Sequence, residues 1–453
     1  MTLRESLKKI IPQNLFSSLE PTGHLLEAMV SQVMYGFPAR RLKVIGVTGT
    51  DGKTTTASII THMLRHAGYS VAMVTTISVD YGDGKGEQPN PSRMTTMGAS
   101  SLMKILKQIA NNDVEWLVLE TTSHALAQHR VWGIPYHIAV WTNLGHEHLD
   151  YHKTFERYRD AKRLLFKQTN AYKKGLQTGV INADDPSAKY FIQDIDTPIT
   201  YGIKDGELRA EDVKTLATGS TYTALMGDID YHITCHLPGS FNVYNSLAAI
   251  GVGRAIGLDA VDIERGIESI DAVEGRMTRI DEGQNFEVIV DYAHTPESFE
   301  KLFQEIKPVT KGRLIAVFGS AGRRDEKKRA VQGSIAGRYC DIVIATEEDD
   351  RDADGQAILE EIASGARKEG KILDKNLFLI HKREKAIEKA IDIAKKDDVI
   401  LLLGKGHEKS ILSNGPDAAK RRHELQNDDD SKRVIKRPYD EVRVARALLE
   451  KKR

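Results

Sequence analysis

Cysteine is nearly missing from this chain of 453 residues: there are two, Cys235 and Cys340, far apart in sequence. That excludes a disulfide framework and points to a reducing compartment. Long apolar runs are missing too. No stretch reaches the length of a membrane-spanning helix and no signal-peptide core stands near the N-terminus, so a cytoplasmic protein is expected. Nor is one sign of charge in excess. Lys and Arg together number 64, as do Asp and Glu, which leaves no global field to gather nucleic acid or an anionic membrane. What is present is 40% apolar and 28% charged residues, and enough length for two or three domains with a substantial core.

The most informative stretch is VIGVTGTDGKTTTAS, Val44 to Ser58. A β-branched run (Val44, Ile45, Val47) enters a turn carrying Gly46, Gly49 and Gly52, followed by Lys53, Thr54 and a helix-compatible segment. Glycines let backbone N–H groups turn inward around phosphate oxygens. The helix N-terminus adds its dipole, Lys53 a mobile cation, and the Thr54 hydroxyl a ligand for Mg²⁺. A nucleoside triphosphate is the expected ligand. The spacing departs from the common Walker pattern, which would put a glycine where Val47 stands. An ordinary Gly-rich turn is the bland alternative, but it gives Lys-Thr-Thr at a helix start no packing reason.

Residues 1–43 read as a short helical lead, in which Leu25–Phe37 has apolar helical spacing and is expected to pack on the domain after it, a partner or a membrane surface being the alternative for its apolar face. Residues 44–270 alternate β-rich and helical stretches, the rhythm of a mostly parallel sheet. Residues 271–453 form a second α/β series, with strands expected at EVIVDYA, RLIAVFG, DIVIAT, LFLI and DVILLLG. Asn414–Lys436, with GP and DDD, reads as a mobile surface loop, and DEVRVARALLEKK as a closing amphipathic helix. The fold class is therefore α/β: a central P-loop-type parallel-sheet ATPase domain followed by a Rossmann-like C-terminal domain.

Other constellations stand at strand ends, where open parallel sheets bind ligands. Glu120 closes WLVLE and can hold Mg²⁺ or its water; a solvated strand end is the competing reading. TNLGHEHLDYH (Thr142–His152) crowds histidines and carboxylates, and a second Mg²⁺ site is more economical there than zinc. Lys162, in an expected helix, would pass for a surface lysine on composition alone. Asn242 and Asn245 share a helix face, and amides can read an adenine edge, though caps are commoner. DYAHTP, GSAGRRDEKKR and GKGHE are polar strand-end loops of the second series, and the arginine- and lysine-rich one suits phosphate or carboxylate.

With these motifs collected in order (TGTDGKTTT, LETTSHAL, TNLGHEHLDYH, AKRLLF, VINADDP, FNVYNSLAA, VEGRM, DYAHTP, FGSAGRRDEKKR, GKGHE), the chain resembles the Mur ligase family. The likeness is nearest to its MurE type, the UDP-N-acetylmuramoyl-tripeptide synthetases, and runs from about Val44 to the C-terminus. The resemblance implies an ADP-forming acid–amino-acid ligase of cell-wall peptide synthesis. A substrate carboxylate attacks the γ-phosphate of ATP, and an amino acid's amine then displaces phosphate from the acyl phosphate.

Carried over by motif, Gly49, Thr50, Asp51, Gly52, Lys53, Thr54 and Thr55 would cradle the phosphates. Thr54 and Glu120 would hold one Mg²⁺ and His148 the second, beside a carbamylated Lys162. Lys53, Glu120, His148 and Lys162 form the implied catalytic set. Asn245, Arg276 and Asp291 would complete the ATP contacts. Thr95, Thr96, Thr122, Ser123 and His124 match acceptor-side positions. Arg324, Asp349, Arg351 and Glu408 match positions near the acceptor and the incoming amine. The implied partners are a peptide or nucleotide-sugar-peptide acceptor and a free amino acid, with no nucleic acid and a monomer expected.

Three departures stand out. Asp51 replaces the family's usual Asn. Only 43 residues precede Val44, so the likeness does not extend to the family's N-terminal uridine-binding domain. Glu348-Asp349-Asp350-Arg351 replaces the D-N-P-R motif of diaminopimelate enzymes. Extra carboxylates favour a cationic amino acid and Arg351 argues the other way, so the amino acid stays open. The alternatives are a related ligase with a non-muramoyl acceptor, a silent ATP-binding scaffold and, less fitting, a P-loop kinase.

Overall fold

The computed structural model describes residues 13–92, 94–145, 147–216, 218–323, 326–414 and 434–452. They fall into two units, one reaching Asp271 and the other starting at Ala272, with 215–219 and 237–239 grouped with the second.

Eleven strands build the sheet of the first unit: β1 (Lys43–Thr48), β2 (Val71–Val74), β3 (Ser78–Asp80), β4 (Gln88–Pro89), β5 (Trp116–Glu120), β6 (Tyr136–Trp141), β7 (Thr178–Asn182), β8 (Thr197–Gly202), β9 (Leu208–Leu216), β10 (Gly219–Met226) and β11 (Ile229–Cys235). Their order is β11-β10-β9-β8-β7-β6-β1-β5-β2-β3-β4. The β-branched run of β1 lies parallel to β5 on one side and β6 on the other. A strand covered on both faces should be apolar throughout, and Val44, Ile45, Val47, Leu117, Val118 and Leu119 are fully buried. Each such side chain contributes about 1.5–3 kcal/mol relative to exposure. At one edge of the sheet, β10 and β11 pair antiparallel. In the helix Ala99–Ala110 the apolar period places Leu102, Met103, Ile105, Leu106 and Ile109 in the core.

The second unit has β12 (Thr278–Ile280), β13 (Glu287–Asp291), β14 (Leu314–Phe318), β15 (Ile342–Ala345), β16 (Leu377–Leu379) and β17 (Val399–Leu403). They lie in the order β12-β13-β17-β14-β15-β16, parallel except for β12. Helices such as Pro296–Val309, Lys327–Tyr339 and Gly355–Lys368 connect them. The closing helix Glu441–Glu450 is anchored by an ion pair with no solvent exposure. Arg383 donates from Nη2 and Nε to Glu441 at 2.6 and 2.9 Å.

Two expectations need correction. The lead helix runs Gln13–Tyr35, but it does not bury its apolar stripe. Leu26, Met29, Val30, Val33 and Met34 are exposed, whereas His24, Ala28, Ser31 and Gln32 are buried. Small and polar side chains allow a close approach, and the Gln32 amide donates to the Trp132 carbonyl at 2.8 Å. Of Asn414–Lys436, both ends are strand rather than loop: β18 (Ser410–Asn414) pairs antiparallel with β19 (Val434–Pro438). Residues 415–433 lie outside the described residues.

Candidate functional site

The turn after β1 is shaped more by its neighbours than by its own side chains. Thr50 N–H donates to the Asn143 carbonyl and Asp51 N–H to the Asn143 side chain, both at 2.9 Å. The Thr142 hydroxyl returns a 2.6 Å bond to the Asp51 carbonyl. Gly49 and Gly52 are the positions where glycine is required. Both have positive φ, and a Cβ would stand 1.9 Å from Thr142 Oγ1 at Gly49 and 2.4 Å from Asn245 Oδ1 at Gly52. Asp51 itself is exposed. Its N–H and carbonyl are bonded to Asn143 and Thr142.

Gly52 caps the helix Lys53–His66, so the first-turn N–H groups of Lys53, Thr54 and Thr55 have no carbonyl partner within the helix. They face the loop as an anion-binding end. Lys53 Nζ rests on the Thr50 carbonyl at 2.7 Å, close to where phosphate oxygens would lie. Asn245 is buried beside this loop, accepting from the Thr56 hydroxyl at 3.1 Å and donating to Asn242 at 2.8 Å. The structure thus places its carboxamide beneath the loop as a brace.

Glu120 is 1% exposed at the end of β5. Its Oε2 accepts from the Thr54 hydroxyl at 2.9 Å and from the N–H and hydroxyl of Thr76 at 2.8 and 3.0 Å. Those donors are neutral, so a buried carboxylate faces the phosphate loop with a hydroxyl at its side. The hard-oxygen pair Thr54–Glu120 fits a Mg²⁺ ion.

Lys162 is 2% exposed and sends Nζ to the Gly49 carbonyl at 2.5 Å, so it is no surface lysine. Burial first, and the charge of Lys53 second, hold its amine well below the ordinary lysine range. Its Nζ also lies 4.5 Å from the centre of the Tyr158 ring, and the Tyr158 hydroxyl bonds Thr50 Oγ1 at 3.0 Å. The His148 ring stands 6.0 Å from that of Tyr158 and 4.7 Å from that of His124. His148 is exposed, with a left-handed φ of 56°. Lys53, Glu120, His148 and Lys162, the set that the resemblance implies, are thus gathered around one loop.

The positions that the resemblance assigns to the acceptor lie near the end of β5. Thr122 caps the helix Ser123–Ala127, and Thr96 Oγ1 receives the Thr122 N–H and donates to the Glu120 carbonyl, both at 3.0 Å. Thr95 Oγ1 lies 3.0 Å from Thr76 Oγ1, and Ser123 Oγ meets His152 Nε2 at 3.0 Å.

In the second unit, Asp291 accepts the N–H groups of Met277 and Ala293 at 2.9 and 2.7 Å. Burial nevertheless raises its pKa, with Arg276 opposing. Arg276 lies over the Tyr292 ring at 5.1 Å, and that ring is flanked by His294 and His407. Among the described residues, Arg276 Nε and His407 Nδ1 are buried without a protein partner, a feature that fits a polar ligand. Burial, with Arg276 next, pulls His407 down to about 3. Glu408 and Asp349 share the fully buried Lys405, at 2.5 and 3.0 Å. Arg351 donates to the Gly322 carbonyl at 3.2 Å. Arg324 lies outside the described residues.

The Mur ligase middle domain model matches residues 47–253, and the Mur ligase glutamate ligase domain model matches 275–406. The UDP-N-acetylmuramyl-tripeptide synthetase of Roseiflexus sp. (strain RS-1) is 41% identical over 406 residues, covering 86% of this chain and 79% of the relative. The chain belongs to the Mur ligase family. A second relative of this Mur ligase is the UDP-N-acetylmuramoyl-L-alanyl-D-glutamate–2,6-diaminopimelate ligase of Geobacillus kaustophilus (strain HTA426). It is 39% identical and covers 84% of this chain and 77% of the relative. A solved structure of a ligase with that same name superposes with a TM-score of 0.65 at 27% identity, covering 93% of this chain and 83% of that one.

Sequence reading of this Mur ligase missed Thr76, Tyr158 and Lys405. Thr76 sits in a Thr-Thr pair just past an apolar strand, a signal of the kind that flagged Glu120. Tyr158 and Lys405 gain meaning only from partners far away in sequence.

Proposed function

We propose that this Mur ligase joins a free amino acid to the peptide carboxylate of an acceptor like UDP-N-acetylmuramoyl-dipeptide, through an acyl phosphate, with ATP converted to ADP and phosphate. The observation that carries the reading is the buried Thr54–Glu120 pair facing the phosphate loop beside Lys53.

The two reacting partners are both anions. Lys53 and the first-turn N–H groups offset that repulsion by holding the β- and γ-phosphates where charge develops. Mg²⁺, held by Thr54 and Glu120 and at a second position by His148 and Lys162, would supply further charge neutralisation. A Lys162 amine kept neutral by burial is nucleophilic toward CO₂. Its nitrogen bonds to carbon and a proton leaves, giving a carbamate that adds a carboxylate beside the second ion. Ser123, with its hydroxyl fixed by His152, and Thr95, Thr96, Thr122 and His124 are assigned to the acceptor. Asn245, Arg276 and Asp291 are assigned to the nucleotide, and Arg324, Asp349, Arg351 and Glu408 to the acceptor end and incoming amine. Lys405 neutralises two of those carboxylates, which weakens the case for a purely cationic amino acid. The supply of ATP and nucleotide-linked sugar argues for work in the cytoplasm; no helix of the described residues is long and apolar enough to cross a membrane.

The test supplies ATP, Mg²⁺ and bicarbonate with UDP-muramoyl-dipeptide and each of a panel of amino acids, with mass detection. An amide product, and phosphate release that needs both acceptor and amino acid, is expected. Absence of any amide across the panel would sink the proposal.

A further inference from the structure

The ends of β15 and β16 are adjacent, and their following segments are joined by backbone bonds. Ile380 N–H donates to the Ala345 carbonyl and Glu347 N–H to the His381 carbonyl, both at 3.0 Å. The Thr346 hydroxyl adds a bond to the His381 carbonyl at 3.1 Å. This brings ligand atoms of Glu347, Asp350 and His381 within 4.8 Å of one another. The two carboxylates are 6% and 4% exposed, whereas the imidazole side chain is 49% exposed and lies 2.6 Å from Asp350 Oδ2. Two buried acids and an imidazole open to solvent give an ion both a seat and a way in.

Neighbouring basic groups offset only part of this charge, and through one oxygen of each carboxylate: Arg437 Nη2 meets Glu347 Oε1 at 2.7 Å and His381 Nε2 meets Asp350 Oδ2 at 2.6 Å. Arg383 is taken up by Glu441, and Arg437 pairs with Glu384 as well as with Glu347 Oε1. The Arg383 N–H also donates to Glu347 Oε1, which orients the carboxylate and leaves its second oxygen for a ligand.

Gly355 supplies an independent observation. It opens the helix Gly355–Lys368, and its φ is not positive, so its backbone conformation makes no demand for glycine. A Cβ there would stand 2.2 Å from His381 Nε2 and 2.3 Å from Asp350 Oδ2. Any side chain there would collide with those two ligand atoms, so glycine is what lets them lie against the start of this helix.

We infer that Glu347, Asp350 and His381 form a site for a first-row divalent ion, Zn²⁺ or Mn²⁺. One imidazole nitrogen with two carboxylates is a donor set for such ions, with water completing the shell. Mg²⁺ and Ca²⁺ prefer oxygen alone. A bound ion would pin residues 347–352, which carry Asp349 and Arg351, to the end of β16. The site does not depend on the ligase reading, and its test uses no turnover.

The experiment uses the full chain carrying Glu120→Gln, which removes the carboxylate assigned to Mg²⁺, after treatment with a chelator. Zn²⁺ alone is titrated by calorimetry into this protein and into the same protein with His381→Asn added. A single saturable site is expected in the first, weakened roughly 10–100-fold in the second. A Zn²⁺-dependent rise in Tm should vanish alongside it. His381 is half-exposed, so its variant should fold, as circular dichroism will show. Gly355→Ala keeps all three ligands but fills the space, and it should weaken Zn²⁺ binding likewise. Binding that ignores both His381→Asn and Gly355→Ala overturns the inference. So does the absence of Zn²⁺ and Mn²⁺ binding at millimolar concentration.

Discussion

Glu120 and Lys162 are buried for opposite reasons and make opposite predictions. Glu120 collects three neutral donors, so Glu120→Ala strands the Thr54 and Thr76 groups and should cost about 1–3 kcal/mol of stability. Its larger effect is on turnover, which should fall roughly 10²–10³-fold for loss of one preorganised electrostatic group. Steady-state kinetics and a denaturant melt separate the two. Lys162 is held below its ordinary pKa of 10.5 mainly by burial. The unfolded chain therefore binds a proton there that the folded chain resists. Stability is penalised below the depressed folded pKa and recovers as pH rises toward 10.5. In CO₂-free buffer Lys162→Met should melt higher than the parent at pH 7, with the gap narrowing toward pH 10. A gap that stays constant with pH would contradict this. The same variant should be inactive, and Lys162→Ala should regain some activity with short-chain carboxylates if a carbamate operates.

At the scale of elements, the helix Glu441–Glu450 shows how one ion pair can fix a docking. Arg383 and Glu441 are both inaccessible to solvent and share two short bonds. Removing one partner leaves a buried charge uncompensated, so Glu441→Ala should destabilise the chain by about 3–5 kcal/mol. Replacing both with apolar residues of similar volume should cost much less, and urea melts of the single and double variants would show it. The sequence made this helix legible through its apolar period but not through its anchor, because Arg383 and Glu441 are far apart in the chain. The lead helix shows a second limit. Apolar spacing at Leu26, Met29, Val30, Val33 and Met34 correctly signals a helix, yet those residues face outward. Periodicity reports that a stripe exists, not which surface it meets. Strand-end chemistry was more legible. Gly49, Gly52 and Lys53 carry their purpose in local order, whereas the brace from Thr142 and Asn143 arises only when β6 is placed beside β1.

For the molecule as a whole, the α/β rhythm conveyed the class of fold, and the order of motifs conveyed the family. Strand order was not legible, because β1 lies between β5 and β6 through crossovers that local pattern does not encode. The balance of 64 basic and 64 acidic residues leaves net charge near zero around pH 7, with a sequence pI of about 7.3. Colloidal repulsion should therefore be weakest near neutrality. Precipitation by polyethylene glycol should need least polymer near pH 7.3 and more on either side; a flat profile would contradict this.

The bonds between the phosphate loop and Asn143 also make that loop a natural spectroscopic reporter. Asn143 lies five residues before His148 on the same segment, and it accepts the amide protons of both Thr50 and Asp51. In an ¹⁵N-labelled sample, the Thr50 and Asp51 resonances should shift when the His148 segment is displaced, even with no nucleotide in the tube.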